Sequence, residues 1–139
     1  MPPAPSFPIR QECPPGACVC GRDALLDALA ALPETDVRIL RLTREEEKRL
    51  IARIEAIASY DELQRMTARM DQQLGMAVQI TPSARGVRTV RGLAIALAER
   101  PGLCRKTRTA IPAAIRRCLE HHPDIVYALL NARDLLGDA

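Results

Sequence analysis

The chain has 139 residues, 47% of them apolar, which suits one domain with a core that needs no disulfide staples. With one Phe, two Tyr and no Trp, that core must be built from Leu, Ile, Val, Ala and Met, and aromatic stacking platforms for single-stranded nucleic acid are excluded. The net charge of +3 is unevenly spread: residues 1–84 carry 10 basic and 12 acidic side chains, residues 85–117 carry 9 basic ones against Glu99 alone, and residues 118–139 return to a net of −3.

Residues 1–22 read as an extended, Pro- and Cys-rich segment without periodicity, and residues 23–139 as a single globular domain. The opening stretch to Pro8 lacks the apolar run of a signal peptide, and no segment approaches the roughly 18 apolar residues of a membrane span. The expected setting is therefore cytoplasmic, where thiols stay reduced. An odd count of five cysteines also argues against a closed disulfide framework.

Asp23 opens a short helix with Leu25, Leu26, Leu29 and Leu32 on one side, ended by Pro33. Val37 to Leu42, aliphatic and partly β-branched, predicts a short strand. Thr43 followed by Glu46 is a capping box, with Glu45 and Glu47 in the first turn, for a helix with the stripe Leu50, Ile51, Ile54, Ile57, Ala58. Ser59 with Glu62 repeats the pattern ahead of Leu63, Met66, Met70 and Leu74, and Gly75 supplies the stop. Met76, Val78 and Ile80 alternate as a strand does. After the turn Pro82–Gly86, the run Val87–Leu97 ends in the alternation Leu93, Ile95, Leu97, with Gly92 marking a bulge or break. Arg100-Pro-Gly102 closes this region. Thr109 is placed to cap a helix with the stripe Ile111, Ala114, Ile115, Cys118, Leu119, which would keep Pro112 in the tolerant first turn. Pro123 restarts a last helix with Ile125, Ala128, Leu129, Ala132 and Leu136 on one side. The expected fold is α+β: a small antiparallel sheet of two to four short strands covered by about five helices.

The cysteines carry the chemistry. Cys13, Cys18 and Cys20 fall within eight residues on a Pro/Gly loop that can turn three thiolates towards one ion or cluster. Their C-x4-C-x-C spacing is one residue short of the C-x4-C-x2-C pattern of plant-type [2Fe–2S] sites, which also use a distant fourth cysteine. Zinc more often takes two C-x2-4-C pairs, and the chain has no C-x2-C, so an iron–sulfur cluster is expected ahead of a zinc ion. Cys104 is the candidate fourth ligand: it follows Pro101-Gly-Leu and precedes Arg105, Lys106 and Arg108, cations that suit an anionic centre. Cys118, inside an apolar helical stripe, reads as a core residue. His121 and His122 end a helix, where histidine meets terminal carbonyls.

Arg105, Lys106 and Arg108 at a helix start also form a candidate anion site, without the glycines of a P-loop. The basic segment 85–117 offers a surface for an acidic protein partner or for nucleic-acid phosphates, and its charges can equally pair with Asp and Glu within the fold. A histidine could serve Cys104 as base, but no third orienting group or oxyanion motif accompanies such a pair, which points away from an enzyme. The sequence thus predicts a cysteine-ligated metal-binding, redox- or metal-responsive accessory or regulatory protein, or else a metal-free interaction domain using its basic segment.

Overall fold

The computed structural model describes residues 7–11, 13, 21–82 and 92–137, with side chains described as far as residue 132. Five helices and a two-stranded antiparallel sheet follow in the order α1 (Arg22–Ala31), a 3-10 turn (Arg38–Arg41), α2 (Arg44–Glu55), α3 (Tyr60–Leu74), β1 (Val78–Pro82), β2 (Leu93–Leu97), α4 (Arg105–His121) and α5 (Pro123–Gly137). This is the expected α+β class, at the lower limit of strands. Pro82 ends β1, and the rest of the predicted turn Pro82–Gly86 and the start of the Val87–Leu97 run, residues 83–91, lie outside the described residues.

The helix ends follow the capping chemistry of the sequence. Thr43 Oγ1 accepts from the Glu46 N–H at 3.3 Å and Ser59 Oγ from the Glu62 N–H at 3.2 Å, while Glu62 Oε2 reaches back to the Ala58 N–H at 3.2 Å. Gly75 closes α3 at φ 67, ψ 26, and a side chain there would strike Nη1 of Arg100. Its N–H bonds to Asp71 O at 2.9 Å, and the Met76 N–H bonds to Met70 O at 3.2 Å.

Strand register places Val78 opposite Leu97, Ile80 opposite Ile95 and Pro82 opposite Leu93. Along β2, Leu93 and Leu97 are buried while Ala94 and Ala96 are exposed, so the period-2 pattern turns one face inward. That face meets α4, which also packs against α2 and α5. Ile111, Ala114, Ile115, Cys118 and Leu119 of α4 are all buried, together with Ile54, Ile57, Leu63, Met70, Met76, Ile125 and Val126. Each is aliphatic, a thioether or a thiol, as a chain so poor in aromatics requires.

Three elements differ from the sequence reading. Val37–Leu42 is a 3-10 turn rather than a strand. Its neighbours Ile39 and Leu40 are both fully buried, which an alternating strand on a single core face cannot achieve. Asp36 fixes the entry, accepting from the Arg38 backbone N–H at 3.1 Å and from Arg38 Nε at 2.9 Å. The fourth helix begins at Arg105, with Cys104 rather than Thr109 at its cap, so Pro112 lies inside it. Proline removes one helical hydrogen bond there, and burial of an apolar stripe from Ile111 to Leu119 outweighs that loss. Finally, α1 ends at Ala31, one residue before the last leucine of the expected stripe. Leu25 and Leu29 are buried, but Leu32 is the C-cap and 57% exposed.

Candidate cysteine site

The N-terminal segment is fastened to the domain by backbone and side chain together. The Arg10 N–H donates to Leu40 O at 2.8 Å, Arg22 Nε donates to Arg10 O at 2.8 Å, and the Arg10 side chain is buried. Three residues earlier, the Arg41 guanidinium lies 5.1 Å from the centre of the Phe7 ring. A segment held at Arg10 has little freedom three residues later. Cys13 emerges there, half-buried, with its Sγ 3.5 Å from Cys104 Sγ.

Cys104 is held from both sides. Gly102, at φ 88, carries the backbone against Leu25 and Ile39 so closely that a Cβ would overlap both side chains. Leu103 is buried next to it. On the helical side, the Arg108 N–H bonds to Cys104 O at 2.9 Å, and Thr107 is buried. The Cys104 side chain makes no capping bond, and no acidic residue occupies the first turn of α4. The sulfur is therefore at the positive end of a 17-residue helix, beside Cys13.

Both sulfurs border a cleft of about 1070 Å³ between the N-terminal segment, the first turns of α2 and the start of α4. Its walls carry charges of both signs with cations in excess: Arg10, Arg41, Arg44, Arg49, Arg53 and Lys106 against Glu45, Glu46 and Glu47. Glu47 Oε1 is buried with no hydrogen-bond partner among the described residues.

The predicted ligands are thus brought together in part. Cys13 and Cys104, 91 positions apart, are neighbours. Cys18 and Cys20 lie outside the described residues, and among the described residues no group of three or more His, Cys, Asp or Glu side chains converges as for a metal ion. Two thiolates on one tetrahedral ion, each about 2.3 Å from it, stand about 3.8 Å apart, so the observed pair suits a shared metal. Cys118 is elsewhere. It is 1% exposed, its thiol donates to Ile57 O at 3.4 Å, and burial, with a smaller contribution from the Glu62 charge, pushes that thiol up. His121 and His122 end α4, with the His122 N–H bonded to Leu119 O at 3.2 Å.

The three residues of the expected anion site lie in the first turn of α4 in different surroundings. Lys106 faces the cleft, Arg108 lies 3.6 Å from Glu99 across an exposed surface, and Arg105 is engaged within the chain. Much of the described basic segment is likewise spent internally. Arg117 holds Glu55 at 2.6 Å, Arg116 donates to Leu93 O at 3.1 Å, and Arg100 binds Leu74 O and Gly75 O at the end of α3. Arg85, Arg88 and Arg91 lie outside the described residues.

Sequence reasoning missed two arginines. Arg10 and Arg100 act through backbone carbonyls and N–H groups distant in sequence, and no local pattern announces such partners. Asp36 belongs to the same network. The side-chain hydrogen bond from Arg38 is the main cause that holds its carboxyl down at about 2, with further help from the Arg38 backbone and the Arg100 charge against the opposing effect of burial.

Compared with protein-family models, with curated proteins and with solved structures, the chain gives no match. Among the described residues no helix is long and apolar enough to cross a membrane.

Proposed function

We propose that the protein is a small cysteine-ligated metal-binding protein, non-enzymatic, that acts as a redox- or metal-responsive accessory or regulatory factor. Cys13 and Cys104 supply two ligands; Cys18 and Cys20 supply the others, by their spacing on the same loop as Cys13. The observation that carries this reading is the 3.5 Å approach of Cys13 and Cys104. The donor set favours an iron–sulfur cluster, with zinc as the alternative. Bound, the centre ties the N-terminal segment to the start of α4. Lost or oxidised, it frees the loop that carries Cys18 and Cys20 beyond the Arg10 anchor and changes what Lys106 and the neighbouring basic surface present to an acidic protein or to nucleic acid.

Protein purified without oxygen tests this directly. Iron with acid-labile sulfide and visible absorption, or stoichiometric zinc, is the expected result, and Cys13→Ser or Cys104→Ser should each remove most of it. A colourless protein that takes up neither iron and sulfide nor zinc on reconstitution overturns the proposal. Gating is read separately, from duplex DNA binding measured against salt with and without the centre. Equal affinity in both forms removes the gating and leaves the centre.

A further inference from the structure

We infer that Cys13 and Cys104 form an exchange pair which reacts with a small, amino-acid-like disulfide held in the adjoining cleft and closes to an intramolecular disulfide. This goes beyond the metal-binding reading: it concerns the metal-free protein and needs neither Cys18 nor Cys20.

Three observations carry it. The first is proximity without local cause. The two sulfurs are 3.5 Å apart across 91 positions because Arg10, Leu103 and Thr107 are each anchored in the fold. Closing to the about 2.05 Å of a disulfide asks for a movement of about 1.5 Å by two half-buried side chains. The second is the asymmetry of the pair. Cys104 sits at the N-terminal cap of α4 on a backbone fixed by Gly102 and Leu103, and it borders the cleft. Cys13, on the tethered segment, is placed to resolve what Cys104 forms.

The third is the cleft. It carries six cationic and three anionic side chains, which suits a ligand with more carboxylates than ammonium groups. Glu47 Oε1, buried without a hydrogen-bond donor among the described residues, suits the ammonium of an amino-acid-like ligand. Arg44 and Lys106, which make no ion pair among the described residues, suit its carboxylates.

The chemistry balances with that ligand as oxidant. Cys104 Sγ attacks one sulfur of the disulfide, forming a mixed disulfide and expelling the first thiolate. Cys13 Sγ then attacks the Cys104 sulfur and expels the second. The two protein sulfurs are oxidised, the two ligand sulfurs are reduced, and the protons lost by the protein thiols end on the two departing thiols.

The test uses reduced, chelator-treated full-length protein and two probes, oxidised glutathione (zwitterionic arms) and bis(2-hydroxyethyl) disulfide (uncharged), each rate normalised to that with free cysteine. The expected product has lost two hydrogens and yields a Cys13–Cys104 cross-linked peptide, in wild type and in Cys18→Ser/Cys20→Ser alike. In Cys13→Ser the reaction should stop at a mixed disulfide on Cys104. Glutathione should react about tenfold faster than the uncharged probe, and Glu47→Gln and Lys106→Gln should each bring that ratio close to one. A mixed disulfide that persists in wild type, or closure through another pair, overturns the exchange pair. Equal normalised rates for the two probes overturn the docking in the cleft. Failure of closure in a protein that binds metal sinks this inference alone, whereas normal closure in a protein that never takes up metal sinks the metal reading alone.

Discussion

Replacing Arg100 by Met keeps the aliphatic stem and removes the guanidinium, which isolates what that group does for the end of α3. The Arg100 side chain is 13% exposed; Nη1 donates to Leu74 O at 3.0 Å and to Gly75 O at 2.5 Å, and Nη2 reaches Asp36 O and Asp36 Oδ2, both at 3.4 Å. A hydrogen bond to a charged donor contributes about 1.5–3 kcal/mol, and the two carbonyls share one nitrogen, so the pair contributes about 3 kcal/mol. The contact with the Asp36 carboxylate is long and the carboxylate is 43% exposed, so it adds well under about 1 kcal/mol. The variant should therefore lose about 3 kcal/mol, or about 10 °C in Tm for a domain of this size. Without tryptophan, far-UV circular dichroism in urea is the suitable assay, with a lower midpoint and an unchanged slope expected. Arg100→Lys should recover less than half, because one ammonium does not reproduce the fork. A loss below about 1 kcal/mol in Arg100→Met would refute the assignment of Arg100 as the clamp on α3.

Gly102→Ala should cost about 3 kcal/mol in the same assay, since it combines a left-handed backbone with overlap of Leu25 and Ile39; a neutral result would mean that the turn before Cys104 is not packed as described. Cys118 should be the last thiol to react with an alkylating agent, becoming accessible only on unfolding, and Cys118→Ser should cost about 1–2 kcal/mol without changing metal content. Metal loss in that variant would contradict its place in the core. Asp36 ionises at about 2 in the folded protein against an ordinary 3.8, so its stabilisation is complete above about pH 4 and fades as the pH falls towards 2. Unscreened, that difference corresponds to about 2.5 kcal/mol, and exposure of the carboxylate reduces it to about 1 kcal/mol. Acid titration of Asp36→Asn should be flatter than wild type across this window by that amount, and coincident curves would remove Asp36 from the acid response.

Elements set by their own neighbours were legible in advance. Thr43, Ser59 and Gly75 mark helix ends through bonds that span three to five residues, and Val78, Ile80, Leu93, Ile95 and Leu97 declare a sheet face through period 2. What escaped depends on tertiary context. A six-residue aliphatic run at Val37 looks like a strand, but the core takes in adjacent Ile39 and Leu40 and bends the chain into a 3-10 turn. Pro112 argues for a late start to α4, yet the packing of that helix starts it at Arg105. The site was legible in kind and not in geometry. Composition drew attention to Cys13 and Cys104, but their meeting depends on the Arg10 tether and the Gly102 approach, neither of which has a local signature. The basic segment shows the opposite failure: its charges are real, and partners such as Glu55, Glu99 and the carbonyls of Leu93 and Leu74 are invisible in a charge count.

The separation of 91 positions between Cys13 and Cys104 also has a meaning in time. During synthesis, which proceeds from the N-terminus at about 5–20 residues per second, Cys13 emerges several seconds before Cys104. The backbone acceptor for Arg10, Leu40 O, arrives well before that partner sulfur, so the strap can be laid down while the thiol beside it still waits. In that interval the early cysteines face the cell alone, and whichever reagent meets them first, metal or oxidant, competes with the fold for Cys13. Arrival of Cys104 at the start of α4 ends the contest, with α5 and its core residues Ile125 and Val126 still to follow.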